Sequence, residues 1–381
     1  MLPLLLVNLF RLLAPGRRPA PPPSQPTSQP SSTPPKRTSM RSRRRINLAL
    51  QGGGAHGAFT WGVLDQLLED GRFEIDGISG ASAGAVNAVM LDDGLIRGGP
   101  EAAQTRLADF WRAVSVDGHL PELQRAVVER LFPFVPRDGL WLNAVSRFFS
   151  PYDLNPLNIN PLKELIDRFV DFEAIRNESD RQLFVSATNV HNGEVRIFTR
   201  PEITEETVMA SACLPLLFRA VEINGIPYWD GGYSGNPALV PLLRTTATED
   251  VLIVQINPRE RREVPTRTRE ILGRVNEINF NASLLSELRA VNFVNRLIDE
   301  GKLRRGTGRG EFRRLRLHRI VMEETTLSAP GTLSTGYQSF ELLHKLGQRA
   351  TRRFLDAHFH EIGRRSTIDS VVEETRPELV E

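Results

Sequence analysis

Ser82 stands at the centre of Gly80-Ala81-Ser82-Ala83-Gly84, a G-x-S-x-G run. Its two glycines permit a sharp strand-to-helix turn, and the small alanines suit a crowded elbow. Such a turn lifts the serine hydroxyl to a helix N-terminus, where the dipole favours developing negative charge. Some twenty-five residues earlier lies Gly52-Gly53-Gly54-Ala55-His56-Gly57, a glycine-rich turn whose backbone N–H groups can hold an anion. A lifted serine beside such donors is the minimum apparatus of acyl transfer. Gly53 and Gly54 are the candidate donors, with Gly52, Ala55 and Gly57 around them. A rival reading exists, because Gly52-x-Gly54-x-x-Gly57 also satisfies the dinucleotide fingerprint, with Asp76 near the place of a ribose-binding acid. Two points count against it. Asp76 falls inside the second strand rather than at its end, and the segment runs into a serine elbow that a nucleotide site does not need.

A serine needs a base. The downstream histidines His119, His191, His318, His344, His358 and His360 fall in no loop motif, and His318 and His344 are the strongest of them for a Ser-His esterase. Asp230, in Trp229-Asp230-Gly231-Gly232, follows an apolar strand at a glycine turn, the end where α/β sites assemble. Such a carboxylate can equally be a plain turn residue, so the residues alone leave both bases open.

The elements that must position these groups are legible around them. Ile46–Leu50 reads as a strand, about 58–69 as a helix, Phe73–Ile78 as a second strand and Ala85–Met90 as a helix. Strand–turn–helix twice over is the pattern of a parallel sheet with crossover helices. Residues 183–188 and 194–199 flank His191-Asn192-Gly193 as a hairpin, and 221–223 and 226–229 flank Asn224-Gly225 as another. Residues 251–256 form a continuous apolar run expected of a buried strand. A long amphipathic helix is expected over about 268–302, a strand over 315–321 and a final helix over 337–361.

Composition narrows the class. The 381 residues carry a formal charge of +2, but residues 1–45 hold nine Lys/Arg and no acid. The other 39 basic residues are outnumbered by all 46 acidic ones, so the body carries about −7, which argues against a nucleic-acid enzyme. The leader, 1–45, has ten prolines and is expected to be disordered. It reads as a flexible or untranslated leader, or as a peripheral tether to anionic membrane, since apolar residues at its tip are followed by arginines. Cys213 is the only cysteine, which suits a cytoplasmic setting without disulfides. No metal motif, no cofactor and no transmembrane run is implied. The aromatic residues Phe110, Trp111, Phe132, Phe134, Trp141, Phe148 and Phe149 are core candidates, some of them able to line an acyl pocket.

Gly-Gly-Gly-x-x-Gly, then G-x-S-x-G, then Asp-Gly-Gly closely resembles the patatin-like phospholipases. Ala210-Ser211-Ala212, with Pro215 and Phe218, and Asn236-Pro237 extend the resemblance over about 46–260. It implies a three-layer α/β/α sandwich with a mixed, mostly parallel central sheet. It implies a Ser82–Asp230 dyad without histidine, an oxyanion hole at Gly52, Gly53, Gly54 and neighbouring N–H groups, and a lipid ester substrate. Gly231 and Gly232 form the turn beyond the aspartate. Many members carry Arg or Lys where this chain has His56. Residues 261–381 are expected to be a helical extension packing on the 46–260 catalytic domain. A non-catalytic membrane-surface protein is the non-enzymatic alternative.

Overall fold

The computed structural model describes residues 43–115, 150, 152, 158, 160–178, 180–215, 218–261, 263–266, 268–306, 312–323 and 337–368. The leader up to residue 42 and the aromatic residues between 132 and 149 lie outside them. Within them the chain runs β1 (Arg44–Leu50), α1 (Gly57–Asp70), β2 (Phe73–Ala81), α2 (Ala83–Val114), α3 (Pro161–Phe169), α4 (Phe172–Asn177), β3 (Gln182–Asn189), β4 (Val195–Thr199), α5 (Glu205–Ser211), β5 (Val221–Ile223), β6 (Ile226–Asp230), α6 (Val240–Thr245), β7 (Asp250–Gln255), α7 (Thr268–Asp299), β8 (Arg316–Val321) and α8 (Tyr337–His358).

Eight strands make one sheet in the order β5-β6-β3-β2-β1-β7-β8, with β4 also paired to β3. The run β3-β2-β1-β7-β8 is parallel, and β4, β6 and β5 join antiparallel. Successive side chains of a strand face opposite sides of a sheet, and here both sides are buried. Along β7, Leu252 and Val254 face one cluster that includes Phe59, Leu64 and Leu67 of α1, Val89 of α2 and Leu343 of α8. Val251 and Ile253 face the other, with Leu242 of α6 and Leu284, Leu288 and Val291 of α7. The spacing 284, 288, 291 lays one stripe of α7 on the sheet. The architecture is a three-layer α/β/α sandwich around a mixed, mostly parallel sheet.

Three boundaries differ from the sequence reading. β1 starts at Arg44 rather than Ile46, because Arg44 and Arg45 extend the ladder to Phe73 and Glu74 and Arg45 pairs with Glu74 at 2.8 Å. The helix after the serine is 32 residues long, bent where Gly98 and Gly99 leave helical geometry and Pro100 follows. The segment after 260 is more than a helical extension. β8 lies parallel to β7 in the main sheet, and α8 packs on α1, with the His344 ring 3.9 Å from that of Trp61.

Candidate active site

The polar centre sits where β1, β2 and β6 end. β3 acts as the ruler. It pairs in parallel with β2, setting Ala81 beside Ser186, and antiparallel with β6, setting Ala187 beside Asp230. Register alone therefore brings the residue after Ala81 level with the last residue of β6, although they are 148 positions apart in the chain. The Ser82 Oγ donates to Asp230 Oδ2 at 2.6 Å.

Ser82 is held in a sparsely populated conformation, φ 53° and ψ −126°, a strain on the order of 1–3 kcal/mol that the surroundings must offset. Its N–H donates to Ser211 Oγ at 2.9 Å and its carbonyl accepts from Val86 N–H at 3.1 Å. The flanking glycines are required by close approach. A Cβ on Gly84 would stand 2.1 Å from the Leu50 carbonyl oxygen, and one on Gly80 would stand 2.6 Å from the carbonyl of Gly84. Gly52 is equally tight, because a Cβ there would lie 2.6 Å from Ser82 Cβ. The glycine turn thus abuts the serine elbow directly.

Asp230 is 0% exposed. Its second carboxylate oxygen, Oδ1, accepts from Gly232 N–H at 2.7 Å. Its own N–H donates to the Cys213 carbonyl at 2.8 Å and its carbonyl accepts from Thr188 Oγ1 at 2.8 Å. Burial pushes its carboxyl up to about 7, and the hydrogen bonds from Ser82 and Gly232 pull the other way without cancelling that rise. Among the described residues no Lys, Arg or His is hydrogen-bonded to it. The neighbouring Cys213 thiol is pushed up to about 12, by burial first and by the Asp230 charge as well, against a backbone hydrogen bond from Val221, so it stays a thiol at neutral pH.

The five turn residues expected at the oxyanion hole serve differently. The Gly52 N–H is engaged, donating to Asn236 Oδ1 at 2.6 Å, and the Gly57 N–H turns back onto the Gly54 and Ala55 carbonyls. Both N–H groups are thus already hydrogen-bonded within the protein. The N–H groups of Gly53, Gly54 and Ala55 make no hydrogen bond among the described residues. Gly54 sits at φ +57°, where glycine is favoured. His56 is half-buried, and its pKa is lowered by burial, with Glu277 raising and Arg261 lowering it.

The two histidines considered as bases point elsewhere. His318 Nε2 meets Asp250 Oδ1 at 3.0 Å, and His344 Nε2 meets Asp65 Oδ2 at 3.1 Å. Among the described residues no histidine is hydrogen-bonded to Ser82 or Asp230. Asp76, the acid of the rival dinucleotide reading, accepts backbone N–H groups of Ala247 and Thr248 and is a loop anchor. Sequence reasoning does not single out Thr188 or Asn257, and it names Ser211 only as part of a motif, without a role. Asn236 was quoted only as part of a motif, without a role.

Fold and site together define an α/β domain whose serine and aspartate meet at the strand ends, the edge where such sheets assemble their sites. The chain belongs to the patatin-like phospholipase family, whose profile matches residues 48–243, just over half of the chain. No curated protein sequence matches it significantly. Solved structures to which it is similar include VipD from Legionella pneumophila, at 14% identity and a TM-score of 0.35, covering 83% of this chain and 67% of that one. The type III effector protein ExoU is similar at 14% identity and a TM-score of 0.29, covering 83% and 53%. The ExoU–SpcU complex from the type III secretion system of Pseudomonas aeruginosa gives 16% identity and a TM-score of 0.30, covering 83% and 52%. The chain thus spans about half the length of the ExoU chains. The fold assignment stands on the sheet order and on the family match.

Proposed function

We propose that this chain is a lipid acyl hydrolase in which Ser82 is the nucleophile and Asp230 its base. The observation that carries the reading is the 2.6 Å bond from Ser82 Oγ to a carboxylate that burial has pushed up to about 7. An ordinary aspartate, near 4, is a poor base for an alcohol, and raising it towards neutrality improves the match while leaving much of it ionised at pH 7.

Ionised Asp230 takes the Ser82 proton as Oγ attacks the ester carbonyl carbon. The carbonyl π electrons move to oxygen, and the oxyanion is stabilised by the free N–H groups of Gly53 and Gly54, with Ala55 beside them and the N-terminus of α2 behind the serine. The tetrahedral intermediate collapses and expels the alkoxide, which receives the proton from Asp230. Water then attacks the acyl-serine, giving its proton to Asp230, and Ser82 leaves with that proton to restore the starting state. Phospholipids, lysolipids and related esters are the substrate class. Of the described helices, none is long and apolar enough to cross a membrane. In this reading the basic leader supplies peripheral contact with anionic lipid. Removing residues 1–42 is expected to weaken binding to anionic vesicles while soluble ester hydrolysis persists, and unchanged binding would refute that contact.

The test is hydrolysis of short- and long-chain acyl esters by wild type, Ser82→Ala, Asp230→Asn and the variants His318→Gln and His344→Gln. The reading expects activity on both ester classes, loss in the first two variants and retention in the histidine variants. An active Asp230→Asn alongside a dead histidine variant would overturn the dyad. Activity that survives Ser82→Ala would overturn the site.

A further inference from the structure

Two adjacent glycines leave the Gly52–Gly53 peptide little intrinsic barrier to rotation, because neither residue has a Cβ to restrict it. Its orientation nonetheless decides the site's polarity. In a trans peptide the carbonyl of one residue and the N–H of the next point in opposite directions. With the Gly52 carbonyl held by the side-chain amides of Asn257 and Asn236, the Gly53 N–H points the opposite way. A flipped peptide would put a carbonyl oxygen where an oxyanion has to sit.

The protein grips this peptide unit and the one before it with side-chain amides. Asn257 Nδ2 donates to the Gly52 carbonyl at 2.7 Å, and Asn236 Nδ2 approaches the same oxygen at 3.4 Å. Asn236 Oδ1 takes the Gly52 N–H at 2.6 Å, and the Asn236 N–H is itself fixed to Ser283 Oγ of α7 at 2.8 Å. Behind them, Gln51 Oε1 accepts from the N–H groups of Ile256 and Asn257 at 2.9 and 3.0 Å. Gln51 Nε2 donates to Asn281 Oδ1 at 3.3 Å, Gln255 Nε2 donates to the same oxygen at 3.1 Å, and Asn281 Nδ2 donates to the Pro258 carbonyl at 2.9 Å. All five amides are buried, none above 5% exposure. Burying that many polar groups is costly unless each is bonded, and here the bonds converge on the glycine turn and the strand end beside it.

We propose that Asn257 and Asn236, backed by the Gln51–Asn281–Gln255 chain, are positioning residues that lock the Gly52–Gly53 peptide with its N–H towards Ser82. Asn257, Gln255 and Asn281 lie beyond residue 243, where the family match ends. The segment after the matched region is therefore part of the hydrolytic machinery, through the donor that it aims. This inference rests on the reading of Ser82 and the turn as an acyl-transfer site.

The test compares wild type with Asn257→Ala and with the near-isosteric Asn257→Asp, which keeps the shape but loses the donor. The readouts are kcat and KM on a soluble short-chain ester, thermal midpoint, and affinity for a trifluoromethyl ketone whose serine adduct places an oxyanion in the hole. The expectation is a fall in kcat of roughly 100-fold, the effect of misdirecting one oxyanion donor. KM should stay within about threefold, and ketone affinity should fall in step with kcat. Asn281→Ala, one bond further back, should give a smaller loss of the same kind. Wild-type kcat in both Asn257 variants, or a loss explained entirely by a smaller folded fraction, would overturn the inference and leave the Ser82–Asp230 reading standing. A wild-type protein that neither hydrolyses the ester nor binds the ketone would remove both.

Discussion

Asp230 and Asp250 are both buried in the same sheet, at opposite ends of its strands, and their surroundings differ. Asp250 begins β7. Burial alone would raise its carboxyl, but His318 at 3.0 Å, Arg316 at 2.9 and 2.6 Å and the Gly363 N–H at 2.8 Å hold it well below the usual carboxylate range. The same edge holds a cavity of about 440 Å³ lined by Arg45, Glu249, Arg305, Arg313 and Arg316. Of its arginines, Arg305 and Arg316 pair with Glu249, Arg45 pairs with Glu74, and Arg313 donates to the Ala247 carbonyl. Asp230 ends β6 with a hydroxyl and one backbone N–H as donors to its carboxylate. Burial acts on both aspartates in the same direction, so the difference is made by the cations. A carboxylate matched by cations holds a fold together. One left without them holds its proton near neutrality, as a general base requires.

The largest effect should come from the unmatched end. Ser82→Ala and Asp230→Asn are each expected to lower kcat by about 10⁴-fold, roughly 5.5 kcal/mol, in folded protein. An Asp230→Asn variant with more than a tenth of wild-type kcat would break the comparison outright.

The matched end should answer with stability. Asp250→Ala leaves Arg316 and His318 without their shared partner, and breaking such a buried pair costs about 3–5 kcal/mol. Denaturant titration should show that loss, with kcat per folded molecule unchanged. A fall in kcat at constant folded fraction would mean that the two ends are coupled.

The pH dependence of stability should run in opposite senses for the two groups. Asp230 has a raised folded pKa, so its contribution is most favourable below the unfolded value near 4 and declines as pH rises to about 7. Asp250 has a depressed one, so its contribution is present above the unfolded value and is lost as pH falls through the folded one. Asp230→Asn should therefore gain stability relative to wild type between pH 4 and 7, by on the order of 3 kcal/mol. A difference that stays constant across that range would show that the carboxyl is not raised.

The smallest effect belongs to His56. Among the described residues it makes no hydrogen bond to Ser82 or Asp230, and burial lowers its pKa. His56→Gln should keep kcat within about threefold, ~0.7 kcal/mol. A larger loss would assign the ring a direct part in the turn.

The local parts of this design were legible in the chain. Ser82 and the glycines Gly52, Gly80 and Gly84 announce themselves because glycine punctuates backbone where chains approach closely, whereas Gly54 and the Asn224-Gly225 hairpin are marked by positive φ. The pairing of Ser82 with Asp230 came from resemblance to a family, since their meeting depends on two registers along β3 that neither segment encodes alone. The roles of Ser211, Asn236 and Asn257 escaped for a related reason. Each is an ordinary polar residue until tertiary packing sets its side chain against the backbone of a distant turn. Likewise, the place of β8 in the main sheet could not be read from residues 315–321, because an alternating strand does not name its neighbour.

The most direct test of the account is the pH dependence of kcat/KM on a soluble acyl ester, which reports ionisations in the free enzyme. The account predicts a one-proton rise with a midpoint near 7 and a plateau above it, present in His318→Gln and absent from the residual activity of Asp230→Asn. A profile flat from pH 5 to 9, or a midpoint that survives in Asp230→Asn, would contradict it.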